Sequence, residues 1–247
     1  MVKPPTYLSK PIPVLYEDER FIVFDKPAGL LTIATPQKEE NTLVRIVNYQ
    51  YKNNPPDVQS LPAGTVRQAQ ALHPCHRLDR DTSGIIIFAK GKANQKRMMD
   101  LFKYRKIHKQ YIAFIQGNIH RPSGEIKGAV EPHHHRRHRG KKYFPSIAIT
   151  RYKVVEHRPH FSILEVEPLT GKTNQIRIHF SQVGHPLVGD RKYSIAKNFP
   201  IKFRRSALHA THISWPDPKT GKTIIVKSPL PEDMEVFLDR DSHETGH

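Results

Sequence analysis

Residues 76–84, His76-Arg77-Leu78-Asp79-Arg80-Asp81-Thr82-Ser83-Gly84, set a carboxylate among arginines immediately before the apolar run Ile85-Ile86-Ile87-Phe88-Ala89. A carboxylate serves as a nucleophile when it is ionised, held in one position and relieved of bulk water, and a nearby cation favours the ionised form. The run that follows is β-branched without alternation, which predicts a strand covered on both faces and therefore a rigid mount. Gly84 permits an unusual backbone turn or a close approach, and Thr82 and Ser83 can bond the local backbone. Spacing alone equally suits a turn in which Asp79 pairs with Arg77 or Arg80. Cys75, beside His76, raises a thiol nucleophile, but its setting after Pro74 better fits a small buried residue. As the single cysteine of the chain it can form no internal disulfide and no multi-cysteine zinc site. His133, His134, His135 and His138 suggest a metal, yet no Cys or carboxylate completes the set and neighbouring arginines would repel a cation. The expectation is no metal and no cofactor.

The elements around these residues can be read from their patterns. Val14-Leu15-Tyr16, a turn at Glu17-Asp18-Glu19, and Phe21-Ile22-Val23-Phe24 predict two strands leading into Lys26-Pro27. Asn41 or Thr42 can cap a helix with Leu43, Ile46, Val47 and Tyr51 on one face, ended by Pro55 and Pro56. Residues 52–72 read as a long loop. A second helix over about 93–105 turns Met98, Leu101 and Phe102 inward and Lys96, Arg97 and Lys103 outward. Tyr111 lies in the alternating strand pattern Gln110-Tyr111-Ile112-Ala113-Phe114-Ile115. Ile147 to Val155 and Phe161 to Val166 predict a hairpin, as do Ala207 to Trp215 and Thr223 to Lys227. Thr173 can cap a helix with Ile176, Phe180 and Val183 on its buried face, which leaves Arg177 off that face and free to meet a cleft. Pro231 opens a short helix to about Leu238. Strands joined as hairpins with a few interspersed helices indicate an α+β domain around a largely antiparallel sheet. The expected organisation is an extension over 1–11, one catalytic domain over 12–238 and a disordered polar tail over 239–247.

The 247 residues suffice for a proper core, and 40 Lys plus Arg against 23 Asp plus Glu give a formal charge of +17, which implies a polyanionic partner. No apolar run approaches the roughly 18 residues of a spanning helix, so nucleic acid fits better than membrane. Between Glu131 and Glu156 there is no acidic residue, while Arg136, Arg137, Arg139, Lys141, Lys142, Arg151 and Lys153 fall there. Between Asp190 and Asp217 there is again none, against Arg191, Lys192, Lys197, Lys202, Arg204 and Arg205. Both stretches read as phosphate contacts. The N-terminal sequence lacks the apolar core of a signal peptide and the character of a transit peptide, so the expected location is the cytosol.

The segment His76 to Gly84 resembles the catalytic HRLDxxTSG motif of the RluA-type pseudouridine synthases, and three further segments agree in family order. Lys26-Pro27-Ala28-Gly29 resembles the early KPxG motif. Lys109-Gln110-Tyr111-Ile112-Ala113 resembles the tyrosine motif. Gly171 to His179 (GKTNQIRIH), continuing through Gly184 to Asp190, resembles the third motif, with Lys172 and Asn174 where relatives often carry Arg and His. The resemblance runs from about Ile12 to Leu230. It implies a long mixed, mostly antiparallel sheet whose central cleft, flanked by helices and loops, holds the active site.

In that pattern Asp79 is the nucleophile, Arg177 the cation paired with it, and Tyr111 the residue that stacks on the target base and whose hydroxyl is placed for proton transfer. Arg77 matches the position that enters the RNA when the uridine flips out. Lys26, Pro27, Thr82, Gly84, Gln175 and His179 support the motifs. The roughly dozen residues before Val14 are too few for the S4-type RNA-binding module of many relatives, so target recognition is expected from the catalytic domain, with no obligate protein partner. The implied substrate is large-subunit ribosomal RNA or transfer RNA. A non-catalytic RNA-binding or ribosome-associated protein would explain the charge without the conjunction of Asp79, Tyr111 and Arg177. A glycosidase using Asp79 and Asp81 would need an awkward two-residue spacing and a neutral glycan on a basic surface.

Overall fold

The computed structural model describes residues 11–53, 70–130, 147–194, 201, 203–217 and 219–244. The chain forms two compact units, one of residues 1–107 and 210–229, the other of residues 108–209 and 230–247.

In the first unit, β1 (Val14–Glu17) and β2 (Phe21–Lys26) form the expected hairpin. Its turn is closed by the Asp18 carboxylate, which accepts the backbone N–H groups of Arg20 and Phe21 at 2.7 and 2.6 Å. Helix α1 (Leu43–Asn53) starts at Thr42, whose hydroxyl accepts the Arg45 N–H at 3.4 Å and whose carbonyl accepts that of Ile46. Leu43, Ile46 and Val47 are buried, as the spacing predicts. Residues 54–69, the greater part of the anticipated long loop, lie outside the described residues. The short β3 (Leu72–Pro74) then pairs antiparallel with β4 (Ser83–Lys90). All eight residues of β4 are buried, in keeping with its lack of alternation. Helix α2 (Lys92–Lys103) buries Met98 and exposes Lys96, Arg97 and Lys103. The hairpin of β9 (Leu208–Pro216) and β10 (Thr223–Lys227) matches the sequence reading, with Leu208 and His209 belonging to the second unit.

Two features of this unit bear on the loop before β4. The antiparallel register of β2 and β4 puts Lys26 opposite Gly84. Gly84 itself has φ +106, and a Cβ there would stand 2.3 Å from the carbonyl oxygen of Ala210, so only glycine fits.

The second unit is built on β5 (His108–Gln116), β6 (Ser123–Ala129), β7 (Ile147–His157) and β8 (Phe161–Pro168), antiparallel in the order β5-β8-β7-β6. Phe114, Phe161, Ile163, Val188, Ala207 and Met234 form its core, with Phe237 packed against it. Helix α3 (Gln175–Gln182) differs from expectation at its start: its N-cap is Asn174 in the left-handed conformation, not Thr173. Helix α4 (Glu232–Glu244) also differs, because it continues well past Leu238 into the segment read as a tail. Pro231 starts it by accepting the N–H groups of Met234 and Glu235 at its carbonyl. Near the far end, Asp241 meets Arg158 at 3.7 Å, which gives the last turns a tertiary anchor invisible in a polar sequence.

Candidate active site

Asp79 occupies the loop between β3 and β4 and is half-buried. The loop is fixed residue by residue. Cys75 donates its N–H to the Ile87 carbonyl at 2.9 Å, and the Ile87 N–H returns to His76 Nε2 at 3.0 Å, which requires that nitrogen to be unprotonated. The His76 ring also packs on Phe102 at 4.9 Å. Leu78 is held through both backbone groups, since the Thr32 hydroxyl accepts its N–H at 3.2 Å and donates to its carbonyl at 3.0 Å. A turn closes behind Asp79, where the Thr82 N–H meets the Asp79 carbonyl at 3.2 Å. Thr82 and Ser83 are themselves buried. Cys75 is buried as well, and burial pushes its thiol up to about 12, which makes it a poor nucleophile.

Lys26 ties a second segment to this loop. Its ammonium is fully buried and donates to the carbonyls of Pro27 at 2.9 Å, Leu30 at 2.8 Å and Arg80 at 3.1 Å. Arg80 Nε reaches back to the Gly29 carbonyl at 3.2 Å. The segment Lys26-Pro27-Ala28-Gly29 therefore braces the loop of Asp79. Arg77 is exposed one side chain away from this braced frame.

The second unit carries Tyr111 and Arg177. Tyr111 sits in β5 opposite Val166 of β8 and is 8% exposed. Arg177 departs from the sequence reading, which left it off the buried face of its helix. It is buried, and Nε and Nη2 grip Asp190 at 2.6 and 2.9 Å while Nη1 donates to Asn174 Oδ1 at 3.0 Å. The guanidinium also lies 5.0 Å from the Tyr193 ring centre. Burial pushes the Asp190 carboxyl up, but Arg177 together with the N–H groups of Tyr193 and Lys192 outweighs it and holds the group below its ordinary value. Asp190 thus orients the guanidinium, and its Oδ1 also accepts the Lys192 and Tyr193 N–H groups at 2.9 and 3.0 Å.

Gln175 and His179 fasten the same helix. The Gln175 amide accepts from Thr170 Oγ1 and the Lys172 N–H and donates to the Ile149 carbonyl and Thr150 Oγ1, at 2.7 to 3.1 Å. His179 Nδ1 meets the same Thr150 hydroxyl at 2.9 Å, and burial holds its pKa below the usual imidazole value. Asn174 bridges Arg177 and the Tyr193 hydroxyl, donating to the latter at 2.9 Å, so the departure at this position has a local role of its own. Thr32, Asp190 in this orienting role, and Tyr193 are the site-supporting residues that sequence reasoning missed. Thr32 carries no signal beyond a lone hydroxyl in an apolar stretch. Arg136, Arg137, Arg139, Lys141, Lys142 and the histidines at 133–135 and 138 lie outside the described residues.

The pinned aspartate, the tyrosine strand and the clamped arginine sit in the order of the four motifs, and the profile of the family described as RNA pseudouridylate synthase matches residues 20–182. The chain belongs to that family. The ribosomal large subunit pseudouridine synthase D of Buchnera aphidicola is 32% identical over 243 residues, covering 91% of this chain and 72% of the relative. The enzyme of the same description from Nitrosomonas europaea is 30% identical over 236 residues, with 92% of this chain and 64% of the relative covered. Among solved structures, human RNA pseudouridylate synthase domain containing 4 shares the fold with a TM-score of 0.71 at 23% identity, covering 93% of this chain and 91% of the other. The RluA-type assignment stands, and with it an isomerase acting on RNA.

Proposed function

We propose that this RluA-type enzyme converts specific uridines of structured RNA to pseudouridine, with Asp79 as nucleophile. The reaction breaks the bond from ribose C1′ to N1 of uracil, turns the base, and joins C1′ to C5, whose proton is released while N1 gains one. Every other atom is kept, so no redox partner is required. The observation that carries the reading is the bracing of the Asp79 loop by Thr32 and by the buried ammonium of Lys26. Such restraint is costly for a surface turn and is what a reacting carboxylate needs.

The remaining roles follow the motifs. Tyr111 stacks on the uracil, and its hydroxyl takes part in the proton transfers that accompany detachment and reattachment. Arg177, oriented by Asp190, supplies the fixed positive charge that keeps the nucleophile ionised. The uridine leaves its stack to react, and exposed Arg77 fills the vacancy. Arg136, Arg137, Arg139, Lys141 and Lys142 neutralise phosphates beyond the target. The descriptions of the bacterial relatives favour large-subunit ribosomal RNA as substrate, with transfer RNA as the other class.

Asp79→Asn keeps the shape and removes the charge. It is expected to abolish tritium release from RNA carrying 5-tritiated uridine while RNA affinity stays within a few-fold. Appreciable turnover by this variant would sink the assignment. Mapping pseudouridine across all RNA of a deletion strain identifies the target.

A further inference from the structure

Lys109 opens the tyrosine motif, and nothing in the roles above uses its charge. It lies in β5 two residues before Tyr111, and side chains two apart on a strand project from the same face, their Cα atoms roughly 7 Å apart. A Cβ built on Gly171 would stand 3.9 Å from Lys109 Nζ, so the ammonium lies beside the glycine that opens the third motif. The side chain is only partly exposed, and its ammonium makes no hydrogen bond or ion pair with any described residue. The charged acid nearest in sequence to its strand position, Glu167, is engaged at 3.6 Å by His108, on the opposite face of β5. Burial without compensation holds the Lys109 pKa below the ordinary lysine value. A partly desolvated cation without a partner costs stability in the free protein, and an arriving anion would relieve that cost.

We propose that Lys109 is a substrate-binding residue whose ammonium receives a backbone phosphate of the RNA beside the uridine held at Tyr111. Three observations converge on this: the shared strand face with Tyr111, the absence of a partner among the described residues, and the position of the ammonium beside the exposed Gly171 that opens the third motif. The bound phosphate supplies the ion pair that Lys109 does not make with any described residue. It also fixes the backbone of the flipped nucleotide while the base is free to turn, so affinity and not the chemical step carries the effect. The inference rests on the proposed function, because it places the uridine at Tyr111.

The test compares wild type, Lys109→Gln and Lys109→Arg on one substrate RNA, by filter binding across salt concentrations and by single-turnover tritium release. Lys109→Gln is expected to weaken binding about five- to tenfold and to lower the log–log salt slope by about 0.7 to 0.9, the value of one phosphate neutralised. Its rate at saturating RNA should stay within about threefold of wild type, and Lys109→Arg should restore most of the affinity. Thermal melting without RNA separates binding from structure: removing an uncompensated charge should leave Lys109→Gln at least as stable as wild type, whereas loss of a structural lysine would lower its melting temperature. Unchanged affinity and salt slope would overturn the inference, as would a rate loss at saturation with affinity intact. If wild type itself released no tritium, the proposed function would fail independently of Lys109.

Discussion

Asp190→Asn tests whether the clamp on Arg177 is an energetic feature of the fold. The Asp190 side chain is fully buried and that of Arg177 is 10% exposed, so solvent does little to screen the pair. Removing one partner of a buried ion pair costs about 3–5 kcal/mol, because the remaining charge is left in low dielectric. The low end applies here: Arg177 keeps Asn174 at 3.0 Å and the Tyr193 ring, and an amide oxygen at position 190 can still accept one N–H. A loss of about 3 kcal/mol corresponds to a fall in melting temperature of roughly 6–12 °C for a chain of this size. Thermal unfolding followed by circular dichroism measures it. Because the folded carboxyl lies below its ordinary value, the stabilisation is complete above the unfolded pKa of about 3.9 and is lost as pH falls through the folded one. The gap between wild type and variant should therefore be constant from about pH 5 upward and close on the acid side. A gap under 2 °C at neutral pH, or one that persists unchanged into acid, would refute the argument.

Tyr111→Phe preserves the ring and loses the hydroxyl, so RNA binding should be normal and single-turnover tritium release slower by roughly two orders of magnitude or more; a near-normal rate would deny the hydroxyl a chemical role. Gly84→Ala adds a Cβ at φ +106 against the Ala210 carbonyl, with backbone on both sides and no side chain to yield. It should lower stability by roughly 2–5 kcal/mol in a urea titration, and a change below 1 kcal/mol would show that the strands can part. Lys26→Met leaves the carbonyls of Pro27, Leu30 and Arg80 without their shared donor. Amide exchange over residues 76–82 should accelerate about tenfold or more while that of β4 stays slow, and equal protection in the variant would release Lys26 from its bracing role.

What the sequence revealed and what it hid have physical causes. β4 was legible because Ile85, Ile86, Ile87, Phe88 and Ala89 admit no exposed face, and the structure buries each of them. The hairpin β7–β8 and helices α1 and α2 were legible because each has one wet side that writes a period into the sequence. β6 left no such trace: among its residues only Ile126 is buried, and Ser, Gly, Glu, Lys and Ala fill the rest. β3 is three residues ending in Pro74, too short for any period. In α3 the amphipathic argument failed for the opposite reason. Residues 175–181 are all buried, so over them no face meets solvent, and a charged residue there must find a partner inside. Asp190, thirteen residues away, is that partner, and no local pattern announces it.

The loop of Asp79 is held by residues that are distant from it in sequence. The proposed role of Asp79 needs a loop that cannot rearrange, but a loop has no ladder of its own to hold it. Here the restraint is borrowed from elements already rigid. β4 fixes the far end through Gly84, His76 takes the Ile87 N–H, Thr32 holds both backbone groups of Leu78, and Lys26, at the end of β2, reaches the Arg80 carbonyl. Of these tethers, the one from Lys26 depends on β2 and β4 pairing in the register that sets Lys26 opposite Gly84. A slip of one residue between those strands would turn Lys26 to the other face and withdraw its ammonium from the Arg80 carbonyl. Sheet register, set by apolar residues with no part in the chemistry, is thus what decides where the Asp79 carboxylate stands.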